Sequence, residues 1–306
     1  MGCLHTSTKF LCVLDNEIAS EDLDNEIASA MFCLLDLALA LALSPQRVLV
    51  IGANGQTGSR VVRLLRDSSD FEPVAMLRLL EQQEAFNAMG VEHVLGDMDS
   101  GAPSVQHMAN IDAVIYAAGA GRVRGPLKQV LVDLSGAIRS VVAAQESESV
   151  QRFVLLSGIN TDVGGTRRSV DAAGADLDGP LASWHKLKRH SEIYLEEHAL
   201  YGRELEYSIL CPGRLVDDAD APGTGRVVAS LIHGEDDLKA SLSTAEREAA
   251  VRSLPGSHDG MVERLCCSRD NVALSLVELL RTTNTQGKSI TLVDGVLPVQ
   301  EAMAAI

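Results

Sequence analysis

From Arg47 onward, short apolar runs rich in β-branched residues alternate with longer stretches whose apolar positions recur every three or four residues. The short runs have the pattern of strands buried on both faces, and the longer stretches that of amphipathic helices. Strands are predicted at Val48–Ile51, Pro73–Leu77, Glu92–Leu95, Ala113–Tyr116, Arg152–Ser157, Tyr207–Cys211 and Ser289–Val293. Helices are predicted at Ser59–Arg66, Glu81–Met89, Val130–Gln145, Ser183–His198 and Asp270–Leu280. Such alternation gives an α/β protein with a doubly wound parallel sheet, whose ligands lie at the carboxyl ends of the strands.

Residues 1–46 break this pattern and are set apart as an acidic N-terminal extension in front of a domain at 47–306. Leu14–Ser20 recurs as Leu23–Ser29, nine residues on. That shift is about two and a half helical turns, so the copies cannot share one apolar stripe. Lys9 is the only base here against seven acids, a poor match to an organelle transit peptide. The apolar run Met31–Leu43 carries Asp36 and falls short of the roughly 18–20 residues of a membrane span. Met1-Gly2-Cys3 with Thr6 fits an acylation pattern at Gly2 and Cys3. A poorly packed extension that wraps the domain or a partner is the preferred reading.

The strongest local signal is Gly52-Ala53-Asn54-Gly55-Gln56-Thr57-Gly58, set between a strand and a helix. Gly52 allows the tight turn, Gly55 lets backbone approach a pyrophosphate, and Gly58 lets helix and strand pack closely. The helix N-terminus then offers unpaired N–H groups and the positive end of its dipole to phosphate. Further pieces are Ala75–Arg78, Gly96-Asp97, Asp112–Gly119, Val132–Ala137, Arg152–Ser157, Cys211–Gly213, Gly223–Gly225 and Ser268–Ala273. With these motifs the chain resembles the atypical short-chain dehydrogenase/reductases, in particular their YhfK-like, NmrA-related NAD(P)-binding group. The resemblance runs from Arg47 almost to Ile306 and implies a Rossmann-like fold. It implies a cofactor site at Gly52–Gly58, Arg78, Asp97, Ala117-Ala118-Gly119, Ser157, Lys188, Pro212 and Gly213.

Arg78 ends the second strand, and no acid follows before Glu81. An acid there would hold a ribose hydroxyl, whereas a guanidinium forks onto a 2′-phosphate, so NADP(H) is favoured over NAD(H). The resemblance gives Asp97 the adenine amine. Reductases of the superfamily use a serine, then Tyr-x-x-x-Lys on the next helix. Ser157 and Lys188 match, but Trp184 stands where the tyrosine belongs. Indole has one N–H and does not exchange protons near neutral pH. His185 is the substitute weighed, three residues before Lys188 and of suitable pKa. Tyr194 is discounted because it lies well around the helix.

Two further segments stand out. Asn160–Pro180 is a Gly- and Asp-rich loop with Arg167-Arg168, a lid or a surface loop. Residues 229–264 form a charged insertion, read as helical, with Leu238, Leu242, Ala245 and Ala249 at helical spacing. That stripe docks on its own domain or on a protein partner. A net charge of −16 argues against nucleic acid, and scattered cysteines without CxxC spacing argue against a metal site. Cys266-Cys267 is read as packing rather than as a redox pair. A soluble protein of a reducing compartment, cytoplasm or organelle matrix, is expected. On sequence alone the preferred function is an NADP(H)-binding accessory, scaffold or redox-sensing subunit without tyrosine-dependent catalysis. The alternative is an NADPH-dependent oxidoreductase of a small carbonyl or quinone.

Overall fold

In a computed structural model the described residues are 31, 44–120, 125–161, 180–201, 205–217, 224–255 and 261–306. The acylation pattern, the repeat, all of the Met31–Leu43 run except Met31, residues 162–179 of the proposed lid, and Gly223 lie outside them. The chain divides into two units, Met1–Pro45 and Gln46–Ile306. The second unit holds the glycine loop and two sheets.

Its larger sheet is built from β1 (Gln46–Ile51), β2 (Phe71–Leu77), β3 (Glu92–Leu95), β4 (Ala113–Tyr116), β5 (Arg152–Leu156), β6 (Glu206–Pro212) and β11 (Lys288–Asp294). Two further strands, β8 (Arg226–Ser230) and β12 (Leu297–Pro298), extend one edge. The order is β12-β8-β11-β6-β5-β4-β1-β2-β3. All neighbours from β11 to β3 pair in parallel, and only β8 pairs antiparallel, with β11 and β12.

Because side chains alternate along a strand, each strand feeds two cores. Val48, Val50, Ala75, Ile115 and Val154 face one side, where they meet Val61, Val62 and Leu65 of α1 (Gly58–Arg66) and Val272 and Leu276 of α8 (Arg269–Arg281). Leu49, Ile51, Val74, Val114 and Phe153 face the other, against Ala137 and Val141 of α4 (Ala137–Glu146) and Leu195 of α5 (Pro180–Tyr201). The uninterrupted apolar runs seen in the sequence are the mark of strands covered on both faces.

Three expectations need correction. The helix predicted at Glu81–Met89 is shorter, α2 (Gln83–Ala88), behind a 3₁₀ turn at Leu80–Gln82. The helix predicted at Val130–Gln145 begins earlier, as α3 (Gly125–Gln129), passes through a π-helical stretch at Val130–Gly136, and only then becomes α4. The insertion is not simply helical. It holds α6 (Glu235–Ser241) and α7 (Thr244–Ala250), then β9 (Val251–Pro255) and β10 (Met261–Ser268). These strands form a second sheet with β7 (Arg214–Val216), in the order β7-β10-β9.

The single stripe breaks because Ser243 starts a new helix: its hydroxyl accepts from Glu246 N, and the Glu246 carboxylate accepts from Ser243 N at 2.9 Å. Leu238 and Leu242 are buried with Ile159, Leu265 and Val293, whereas Ala245 is exposed. The apolar positions of α6 therefore dock on their own domain. Among the described residues, no helix is long and apolar enough to cross a membrane.

The first core strand begins at Gln46, so residues 1–43 are expected to be dispensable for folding. A chain starting at Ser44 should stay soluble and unfold thermally at the temperature of the full chain. Aggregation, or a melting point lowered by more than a few degrees, would make the extension part of the core.

Candidate cofactor and active site

The glycine loop lies at the carboxyl end of β1. Gly52 has φ +88°, and a Cβ there would sit 2.7 Å from the Ala118 backbone at the end of β4. A Cβ on Gly58 would collide with the Gly52 carbonyl oxygen. Gly55 N donates to Gly52 O at 2.9 Å and closes the turn. Asn54, Gly55 and Gln56 are exposed on its rim, and Thr57 is buried as the N-cap of α1. Thr57 makes no side-chain cap bond, and the first turn of α1 holds no acid. Ser59 N and Arg60 N bond Gly55 O and Thr57 O at 2.9 and 3.0 Å, so among the described residues the Thr57 and Gly58 N–H groups and the helix dipole are what the start of α1 offers an anion. Those donors fit the diphosphate of a dinucleotide.

Arg78 is exposed at the end of β2, and its guanidinium makes no hydrogen bond or ion pair among the described residues. Its backbone N–H and that of Leu79 donate to the Gln82 side chain at 3.1 Å, which fixes the strand end while leaving the side chain to solvent. Asp97 follows β3, with Oδ1 accepting from Asp99 N at 3.1 Å. Ala117 and Ala118 are half-buried and Gly119 exposed beside the glycine loop, with Ala117 N bound to Ile51 O at 2.9 Å. Pro212 and Gly213 are buried, and their main-chain groups are spent on the scaffold: Pro212 O accepts from Ile159 N, and Gly213 N donates to Leu292 O, each at 2.9 Å.

Beyond β4, one buried charge organises the site. Asp133, fully buried in the π-helical stretch, accepts from Ala120 N at 3.1 Å and from the Trp184 indole N–H at 3.3 Å. Its Oδ1 also lies 3.4 Å from the Lys188 ammonium, itself buried, which donates to Leu156 O at 3.0 Å. Among the described residues these are the polar partners of the three-donor ammonium. Deleting one partner of such a buried pair costs about 3–5 kcal/mol, so Lys188 is held rigidly in place.

Trp184 fills the tyrosine position. A Cβ on Gly158 would come within 2.9 Å of its ring. Tyr116 does not supply the missing phenol, since its hydroxyl donates to Val132 O and burial pushes its pKa well up.

Ser157, just past β5, is buried and donates its hydroxyl to Oε1 of Glu192. Thr161 donates to the other carboxylate oxygen at 3.0 Å, and Arg189 lies 3.2 Å from it. Burial raises the Glu192 pKa, and the bonds from Ser157, Thr161 and Arg189 offset only part of that rise. His185 packs edge-on against the Trp184 ring, 5.0 Å between centroids. Tyr194 stacks on His198 at 3.6 Å, with its ring against the α4/α5 core.

The structure thus brings Ser157 and Lys188 to one strand end and adds Asp133 and Glu192, which were not singled out from sequence. Asp133 lay inside a matched motif, and Glu192 stands four residues after Lys188, one turn along the same helical face. Those spacings were the available signal. Ser268-Arg269-Asp270-Asn271 plays a scaffold part. Ser268 caps α8, and the Asn271 amide joins Gly225, Arg226 O and Asp294. Cys266 and Cys267 are buried in β10, and burial lifts the Cys266 thiol to about 11. Thiolate chemistry is thereby disfavoured. Among the described residues no His/Cys/Asp/Glu cluster is suited to a metal.

A protein family described as NAD(P)H-binding matches residues 52–250. The chain is 30% identical over 258 residues to the uncharacterised sugar epimerase YhfK of Bacillus subtilis, covering 84% of this chain and 98% of that protein. It is 28% identical to protein YMR090W of Saccharomyces cerevisiae, covering 86% and 100% of the two chains. A solved structure from Bacillus halodurans, named as a candidate NAD-dependent epimerase/dehydratase, superposes with a TM-score of 0.64 at 26% identity, over 85% of this chain and all of that one. The glycine loop, the parallel sheet and these likenesses agree. The chain belongs to the NAD(P)H-binding family of Rossmann-fold proteins, in its atypical short-chain dehydrogenase/reductase branch.

Proposed function

We propose that this protein is an NADP(H)-dependent oxidoreductase acting on a small carbonyl or quinone substrate without a catalytic tyrosine. The observation that carries this reading is the placement of Ser157 and Lys188. Both sit at the carboxyl end of β5, with the Lys188 ammonium 3.0 Å from the carbonyl of Leu156. The ammonium would hold a ribose hydroxyl beside a serine. The glycine loop would hold the diphosphate, and Arg78 the 2′-phosphate. When bound, the cofactor supplies or accepts hydride. The chain's own residues orient it and exclude water. The names of two relatives, a sugar epimerase and a candidate epimerase/dehydratase, belong to chemistry at hydroxyl-bearing carbon and support a substrate of that class.

A second reading, an accessory or redox-sensing subunit that holds NADP(H) without turnover, is favoured by Trp184, whose indole occupies the acid position and is tied to Asp133. Steady-state assays with NADPH against small aldehydes, ketones and quinones separate the two. Turnover supports the first reading. Tight NADPH binding with no turnover on any of them supports the second. In that second case Trp184→Tyr, which puts a phenol one helical turn from Lys188, should create carbonyl reduction, since general acid catalysis is worth ~10²–10⁴-fold.

Cofactor preference is tested by titration. NADPH should bind more tightly than NADH, and Arg78→Ala should weaken NADPH alone by roughly ten- to a hundredfold, the value of one charge-assisted contact. Equal affinities for the two cofactors would remove Arg78 from the phosphate.

A further inference from the structure

We propose that Ser157 and Glu192 are the proton-transfer pair of this site, Glu192 acting as a proton reservoir that works through the Ser157 hydroxyl in place of the absent phenol. The proposal rests on the oxidoreductase reading above.

Glu192 is 1% exposed and lies one turn beyond Lys188 on α5. Its Oε1 meets the Ser157 hydroxyl, and its Oε2 meets Thr161 and Arg189. If these contacts only fastened the turn after β5 to the helix, glutamine would serve as well. Its amide oxygen would accept from Thr161 and Arg189 and its nitrogen would donate to Ser157, without the several kcal/mol that an ionised group costs on burial. A buried carboxyl in that position is chemically useful because it titrates.

The charged groups around it leave it free to do so. On its own helix, the Lys188 ammonium is committed to Asp133 and Leu156 O, and Arg189 is shared between Glu192 and Glu196. From the β5 side the hydroxyls of Ser157 and Thr161 reach it, and on β11 Ser289 approaches Glu196 instead.

A hydroxyl has one proton, so protonation of Glu192 reverses the bond. With Glu192 ionised, Ser157 donates inward, as in the structure. With Glu192 protonated, the carboxyl O–H donates to Ser157 Oγ, and the serine proton is released toward the cleft. In reduction, the Ser157 O–H bond breaks as its proton passes to the substrate oxygen. The Glu192 O–H bond breaks as its proton replaces it on Ser157. The carboxylate left behind is held by Thr161 and Arg189 and regains a proton from solvent. The reduced dinucleotide of the proposed function is the two-electron donor, and one proton is consumed per turnover.

Burial keeps Glu192 protonated to higher pH than an ordinary glutamate. Reduction of carbonyls should therefore fall as pH rises through that raised value, and oxidation of the alcohol should rise. The experiment uses the full chain with NADPH and a panel of small aldehydes, ketones and quinones, on variants that keep the circular dichroism of the unaltered protein. Glu192→Gln should lose ~10²–10⁴-fold in carbonyl kcat and lose the pH dependence, with quinone reduction falling much less. Ser157→Ala, which keeps the carboxyl, should lose a similar factor and stands in if Glu192→Gln does not fold.

A readout free of turnover is the NMR titration of ¹³C-labelled glutamate carboxyls. Glu192 should titrate above the other glutamates, and Ser157→Ala should move it higher still, because the lost bond favoured the carboxylate. Carbonyl reduction by Glu192→Gln at the unaltered rate and pH profile overturns the pair alone. A Glu192 titration unmoved by Ser157→Ala does the same. NADPH binding without turnover on any substrate overturns the pair and the oxidoreductase reading together.

Discussion

Three backbone segments converge at the carboxyl edge of the sheet with no room for a side chain between them. The end of β1 passes Ala118 so closely that any Cβ on Gly52 would strike it, and the start of α1 lies against the Gly52 carbonyl. This contact sets the distance between β1, α1 and β4 at the carboxyl edge of the sheet. Gly52 also carries the left-handed φ that a side chain would resist. The packing of Val61, Val62 and Leu65 beneath the sheet follows from that approach, as does the uncapped helix start above it.

On the far side of β4, order is imposed by buried charge rather than by close packing of backbone. Asp133 collects an amide, an indole and an ammonium, and in doing so ties the π-helical stretch to α5 and to the turn after β4. The π-helical register belongs to the same feature, since π-bulges recur at functional positions. Gly136 makes the approach possible, because a Cβ there would lie 2.8 Å from the Tyr116 hydroxyl. Two carboxylates, Asp133 and Glu192, are therefore buried close to Lys188, with different partners. Asp133 is neutralised by the ammonium, while Glu192 leans on two hydroxyls and a shared guanidinium. Their surroundings are thus unequal, and burial raises the pKa of Glu192.

Trp184 belongs to both arrangements. Its N–H completes the Asp133 shell, and its ring covers Gly158 next to Ser157. The residue that stands where the usual acid would be thus packs over the turn that carries Ser157 and fixes it against α5.

The sequence by itself determined the α/β class, the doubly wound parallel sheet implied by alternating β and α segments, and the glycine loop. Those features are local: they depend on side-chain periodicity and on glycine at a tight turn, and both are written in consecutive residues. Ser157, Lys188 and Trp184 were picked out through the family resemblance, whose motif has a fixed spacing on one strand and one helix. Tertiary structure decided what the spacing could not. Asp133 and Lys188 are 55 residues apart, and Ser157 and Glu192 35 apart, so only the closing of β4, β5 and α5 shows that each pair meets. The insertion shows the opposite limit. Its alanines and leucines held helical spacing, yet Ser243 capped a second helix and the remainder became strands β9 and β10, because Met261–Leu265 found ladder partners in Val251–Pro255, a pairing that spacing within either segment does not show.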